Sequence, residues 1–187
     1  MTDGKIRALI LLLCVCCLCF SACSKRYTSS NEEDYAIYIS EVTGAELYMP
    51  KLDDLGDYES ILIGRRTNND IFIDTTETVS LVLRYAEVNF DVVVNQIEGK
   101  YEFINSPLDN YQDYEATVSN YSFRVDYNSL YEMVSYPSGE SVLEPKCSLI
   151  IGINRVENKI AYLYYWDIEI QEMDDLDKFI LEKFVVE

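Results

Sequence analysis

The chain has 187 residues, no histidine, and 33 acidic against 15 basic side chains, for a formal net charge of −18. Without an imidazole there is no Ser-His-Asp triad, no histidine acid–base catalysis and no ordinary His-ligated zinc site. The acidity makes nucleic acid and anionic lipid surfaces poor partners. A hydrophobic content of 49% with 16 tyrosines still provides for a packed core in one domain of ordinary size.

Lys5 and Arg7 precede an unbroken apolar run from Ala8, closed by Phe20-Ser21-Ala22-Cys23 and followed at once by polar residues. A charged start, an apolar centre and small residues before a cut are the layout of a secretory signal. The run is shorter than the roughly 20 residues of a membrane-spanning helix. A permanent transmembrane helix is the weaker alternative, and a cleaved signal without lipid is another. Phe20-Ser21-Ala22-Cys23 resembles the lipobox of bacterial lipoproteins, with Phe where Leu is usual. The resemblance implies that Cys23 is lipidated through its sulfur, becomes the mature N-terminus and holds the protein at the extracytoplasmic face of the cell membrane. Two acyl chains suffice for stable anchoring. The expected division is a signal peptide over 1–22, a lipidated cysteine with a flexible tether over 23–34, and one globular domain over 35–187. Five of the six cysteines lie at or before Cys23. Cys147 is then left without an intramolecular partner and reads as a buried strand cysteine alternating with Leu149 and Ile151.

Residues 24–34 are polar and without apolar period, which reads as the tether. Residues 36–40 are expected to be the first strand. Pro50, Gly56 and several aspartates mark turns, with Leu52 and Leu55 pinned by one helical turn. Residues 59–66 and 70–74 suggest a hairpin around Thr67-Asn68-Asn69. Residues 78–85 alternate cleanly and predict a half-buried antiparallel strand. Phe90, Val93, Val94 and Ile97 form one helical stripe, predicting a helix over 89–98 with Asn89 as cap and Gly99 as stop.

Residues 101–104 read as a strand, 109–115 as an acidic loop, 121–127 as an alternating strand, 129–134 as a helical turn and 136–139 as a loop. Residues 147–154 and 159–168 form the clearest hairpin, joined by Arg155-Val156-Glu157-Asn158. Its second strand is apolar on both faces, which predicts a central position with cover on each side. Asp174 or Asp175 opens a last helix bearing Leu176, Phe179, Ile180 and Phe184. The order predicts an α+β fold: a single antiparallel sheet of five to seven strands, with one mid-chain helix and one C-terminal helix packed on a face.

Carboxylate chemistry is the remaining enzymatic option, but with 33 acidic residues pairs are unavoidable and carry no information. Asp53, Asp54, Asp57 and Glu59 lack the order of a calcium loop and read as solvated loop and cap residues. No metal and no cofactor are expected. Tyr162, Tyr164 and Trp166 share one strand face, and Tyr121 and Tyr127 are expected on a neighbouring strand. Left open, the Tyr162–Tyr164–Trp166 row would stack on sugars or grip a peptide. Covered by the last helix, the row is core, with a hydroxyl at its edge able to line a pocket. Burial is the preferred reading.

Two segments, MPKLDDLGDYESI from Met49 and KIAYLYYWDIEI from Lys159, stand behind the lipobox. Together they resemble a group of small uncharacterised lipoproteins of Gram-positive bacteria, from about Leu47 onward. The resemblance implies a surface location and a single α+β domain, and carries no catalytic or binding residues. The expectation is a membrane-anchored, non-enzymatic binding domain whose partner is a basic protein. The alternatives are a domain for a cell-wall sugar or peptide and a carboxylate-based hydrolase.

Overall fold

The computed structural model describes residues 23–69, 75–107, 113–130, 133–135, 141–143, 147–167 and 175–186. The expected signal over 1–22, the strand over 70–74, most of the acidic loop and the loop over 136–139 lie outside these residues. The elements in chain order are β1 (Cys23–Ser29), α1 (Glu32–Ser40), α2 (Ala45–Tyr48), a 3-10 turn (Leu52–Asp54), β2 (Ser60–Asn69), β3 (Thr75–Arg84) and α3 (Glu87–Lys100). They continue with β4 (Glu115–Val118), β5 (Tyr121–Val125), a second 3-10 turn (Tyr127–Leu130), β6 (Met133–Ser135), β7 (Ser141–Leu143), β8 (Cys147–Asn154), β9 (Lys159–Asp167) and α4 (Leu176–Lys183). β6 and β7 pair with each other, and the other seven strands form one sheet in the order β1-β2-β3-β9-β8-β5-β4. Every neighbouring pair is antiparallel. The fold is α+β with a single main sheet.

β3, β9 and β8 sit at the middle of this sheet and are buried on both faces. Val79, Leu81, Leu83, Leu149, Ile151, Tyr162 and Tyr164 point to one side, where Tyr35, Val42, Ala45, Met49 and the α3 stripe Phe90, Val93, Val94 and Ile97 cover them. Val82, Ile150, Ala161, Leu163 and Tyr165 point to the other, beneath Leu176, Ile180, Phe184 and Val186. Cover is therefore split between the faces, not gathered on one. β3 is not half-buried as its alternation suggested, because Thr78 and Ser80 on its polar side are only 3% and 1% exposed. Four α-helices stand where two were expected, among the described residues.

The N-terminal segment departs most from expectation. The residues read as a tether form β1, paired with β2 from Cys23↔Asn69 to Ser29↔Ile63, and then open α1. β1 is an edge strand carrying Lys25 and Arg26, and charge on an edge discourages pairing with other chains while leaving no apolar period to read. The strand expected at 36–40 is helix: the Asn31 side chain accepts from the Glu33 amide, and Glu32, Glu33 and Asp34 complement the first turn.

Further along, β2 and β3 pair directly from Ser60↔Arg84 to Asn69↔Thr75, so Thr67-Asn68-Asn69 belong to β2, not to a loop. α3 begins at Glu87 and runs through Gly99 to Lys100, where Tyr101 turns extended and ends it. The strand expected at 101–104 is a single bridge, Phe103↔Asp126. The β8–β9 hairpin forms in register, its turn held by the Asn154 side chain, which accepts from the Val156 and Glu157 amides at 3.0 and 3.1 Å. Asp175 caps α4 by accepting from the Lys178 amide at 2.9 Å. Cys147 is buried and its thiol donates to the Ser129 carbonyl.

α4 is fixed at its far end by a row of donors crossing three strands. Arg26, Arg66 and Thr78 lie opposite one another on β1, β2 and β3. They donate to three consecutive carbonyls at the end of α4: Arg66 to Glu182, Thr78 to Lys183 and Arg26 to Phe184. These are the carbonyls a helix leaves unsatisfied, and cations favour that end of its dipole. Just beyond, Val185 lies over Gly64, where any Cβ would meet it at 3.0 Å.

Candidate functional site

Tyr162 and Tyr164 are 1% and 0% exposed, and Trp166 is partly buried against the same cluster. The open aromatic face is not formed. Its cover is also not the last helix, which packs on the opposite side of the sheet. The segment from α1 to the first 3-10 turn and helix α3 lie over it instead. Tyr48 stacks on Tyr164 with ring centroids 5.8 Å apart, and the Tyr164 hydroxyl donates to the Thr43 carbonyl at 2.9 Å. Gly44 approaches so closely that a Cβ there would stand 2.7 Å from that hydroxyl, at a backbone φ of 75° that glycine tolerates. Tyr121 packs on Phe123 under the other face, so it does not extend the row.

Tyr162 reaches a small cavity of about 40 Å³ that it shares with Asp54, Val93, Ile97, Lys100 and Tyr101. Asp54, Lys100 and Tyr101 continue into an open groove of about 310 Å³, joined there by Tyr48, Asp126 and Asn128. The groove is assembled from four separate segments: α2 and its exit, the first 3-10 turn, the end of α3, and the second 3-10 turn. Lys100 places its ammonium 5.3 Å from the Tyr101 ring centroid. Burial, with the nearby Asp126 and Asp54 carboxylates, pushes the Tyr101 hydroxyl up to about 12.

Asp126 is 4% exposed. It follows β5, where the expected alternation would have sent it outward; instead Val125 and Asp126 are both buried. Its carboxylate accepts from the Glu102 amide at 3.2 Å and from the Asn128 amide in the second 3-10 turn. Burial raises its pKa, opposed by those two amides. No Lys or Arg forms an ion pair with Asp126 among the described residues. Of the acidic group singled out in the sequence, Asp54 alone lines this groove.

Sequence reasoning missed Tyr48, Lys100, Tyr101, Asp126 and Asn128. The signal for Asp126 was local: Asp-Tyr-Asn-Ser directly after a strand is the pattern of a side chain that caps a turn. A second groove, lined by Glu98, Asn120, Ser122, Arg124, Ile153, Arg155 and Val156, is occupied by internal pairing. Arg124 binds Glu98 there and lies 3.9 Å from the Phe103 ring centroid.

No family model, curated protein or solved structure matches this chain.

Proposed function

We propose that this chain is a non-enzymatic binding domain, lipid-anchored through Cys23 at the extracytoplasmic face of a bacterial membrane, and that the groove beside Tyr101 takes its ligand. The reading is carried by the convergence of Tyr48, Asp54, Lys100, Tyr101, Asp126 and Asn128 on one open groove from four parts of the chain. Two aromatic walls and a few polar groups suit a small ligand of the wall, a sugar or a peptide. The acidic surplus of the chain favours ligands and partners of positive charge and disfavours nucleic acid. A hydrolase would use Asp126 as its acid. Burial raises its pKa although two amides oppose the rise, so the acid role is the second reading, and a hydrolysis assay on the same wall fragments, wild type against Asp126→Asn, tests it.

The anchor is supported by the signal-like leader and its lipobox pattern. β1 begins at Cys23 itself, so a lipid there sets the domain directly on the bilayer. Wild-type protein should stay with membranes through a high-salt wash, and Cys23→Ala protein should not. For the groove, a thermal-shift screen of wall-derived sugars and peptides should give a saturable rise in Tm that Tyr101→Ala removes. A rise unchanged by Tyr101→Ala would place the ligand elsewhere.

A further inference from the structure

We infer that the groove beside Tyr101 recognises a primary ammonium group on its ligand, such as a lysine-type side chain of a peptide, seated at Asp126. The inference rests on the binding reading above and names the ligand class of that site. Three observations carry it. Asp126 is buried and lines the groove, and among the described residues its carboxylate has two backbone amides as partners and no paired cation. A cation within about 4–6 Å favours the ionised form of such a carboxylate, which burial otherwise disfavours. Asp54 lines the same groove and adds a second acidic side chain to it. The Tyr101 ring already holds one ammonium, that of Lys100, which shows that this aromatic surface accepts one. Lys100 is exposed and tethered at the rim, so it is a competitor of the ligand's ammonium, not its binding partner.

The test uses the full chain in a non-ionic detergent, by titration calorimetry. The probes are Nα-acetyl-lysine methylamide, its Nε-acetylated counterpart and a neutral chitooligosaccharide. The free amine should bind saturably, and Nε-acetylation should weaken it by about tenfold or more. Asp126→Asn keeps an acceptor oxygen for the Glu102 amide and should abolish the preference for the free amine. Lys100→Ala, at an exposed position, should tighten amine binding by about twofold. Equal binding of the two lysine probes, or an amine preference that survives in a folded Asp126→Asn protein, would overturn the inference. If Asp126→Asn does not fold, the probe pair and Lys100→Ala decide. Binding of the chitooligosaccharide alone, lost in Tyr101→Ala, would overturn the amine inference and leave the binding site standing. Binding of no probe would overturn the inference while the wider ligand screen still judges the groove.

Discussion

The Arg26 guanidinium donates to the Phe184 carbonyl at 2.8 Å, joining the first strand to the end of the last helix. The contact makes a structural element of a segment whose composition reads as a tether. Residues 23–29 should therefore matter to stability. Deleting them removes the β1 ladder and one of the three donors that hold α4, and should lower the urea midpoint substantially. Arg26→Ala alone should cost about 1 kcal/mol, since a charge-assisted bond at a half-open site is lost. An unchanged midpoint in the deletion would restore the tether.

Gly152 lies under the Phe123 ring, and a Cβ there would stand 2.2 Å from a ring carbon. Its cross-strand neighbour Ala161 is small on the same face. Gly152→Ala should destabilise by about 2 kcal/mol through overpacking, and trimming the ring with Phe123→Leu in the same chain should recover part of that. Chemical denaturation of the two variants and the double variant measures the coupling.

Ser80 is the opposite case. Its hydroxyl is buried beside Gly64 and makes no hydrogen bond among the described residues. A buried polar group without a partner costs its desolvation, so Ser80→Ala should be neutral or stabilising by up to about 1 kcal/mol. A clear loss of stability would mean the hydroxyl has a bonded water.

The buried tyrosines set an alkaline limit. Burial raises the hydroxyls of Tyr35, Tyr85 and Tyr162 above their usual 10.0, and Tyr101 is pushed up to about 12. The folded chain keeps these protons where the unfolded chain releases them. The stability is fully present below pH 10 and is lost as pH rises through 10 toward 12 and beyond. Each such group makes the loss steeper by about 1.4 kcal/mol per pH unit. The denaturation midpoint should fall above about pH 10, with tyrosinate absorbance appearing together with unfolding. A midpoint flat to about pH 11 would contradict the burial.

The elements legible in the sequence are those whose periodicity survives into the fold. The α3 stripe, the β8–β9 hairpin and the Asp175-capped last helix each bury the residues that the spacing marked. The segments that were misread bury little of themselves. β1 is a polar edge, and α1 has Tyr35 as its one buried residue, so neither shows a pattern, although Asn31 and the three acids after it announced the helix start. The site was legible in part. Tyr162 was singled out and does reach the cavity, but on the strength of a row that is otherwise core. Asp126 and Tyr101 were hidden because each sits where one element ends, and there periodicity no longer says which way a side chain points.

The place of β9 in the sheet has a consequence in time. It is hydrogen-bonded between β3 and β8, so it joins the N-terminal hairpin to the C-terminal strands. A chain made or exported from its N-terminus first presents β2 and β3 with one edge bare, and must wait for nearly all of itself before that edge is closed. The closing contacts, of β9 and then of α4 on Arg26 and Arg66, come last. Such long-range closure makes for slow folding and leaves apolar edges open meanwhile. Little of the sheet can form until nearly all of the chain is present, so the bare edge of β3 stays open to wrong partners until β9 arrives.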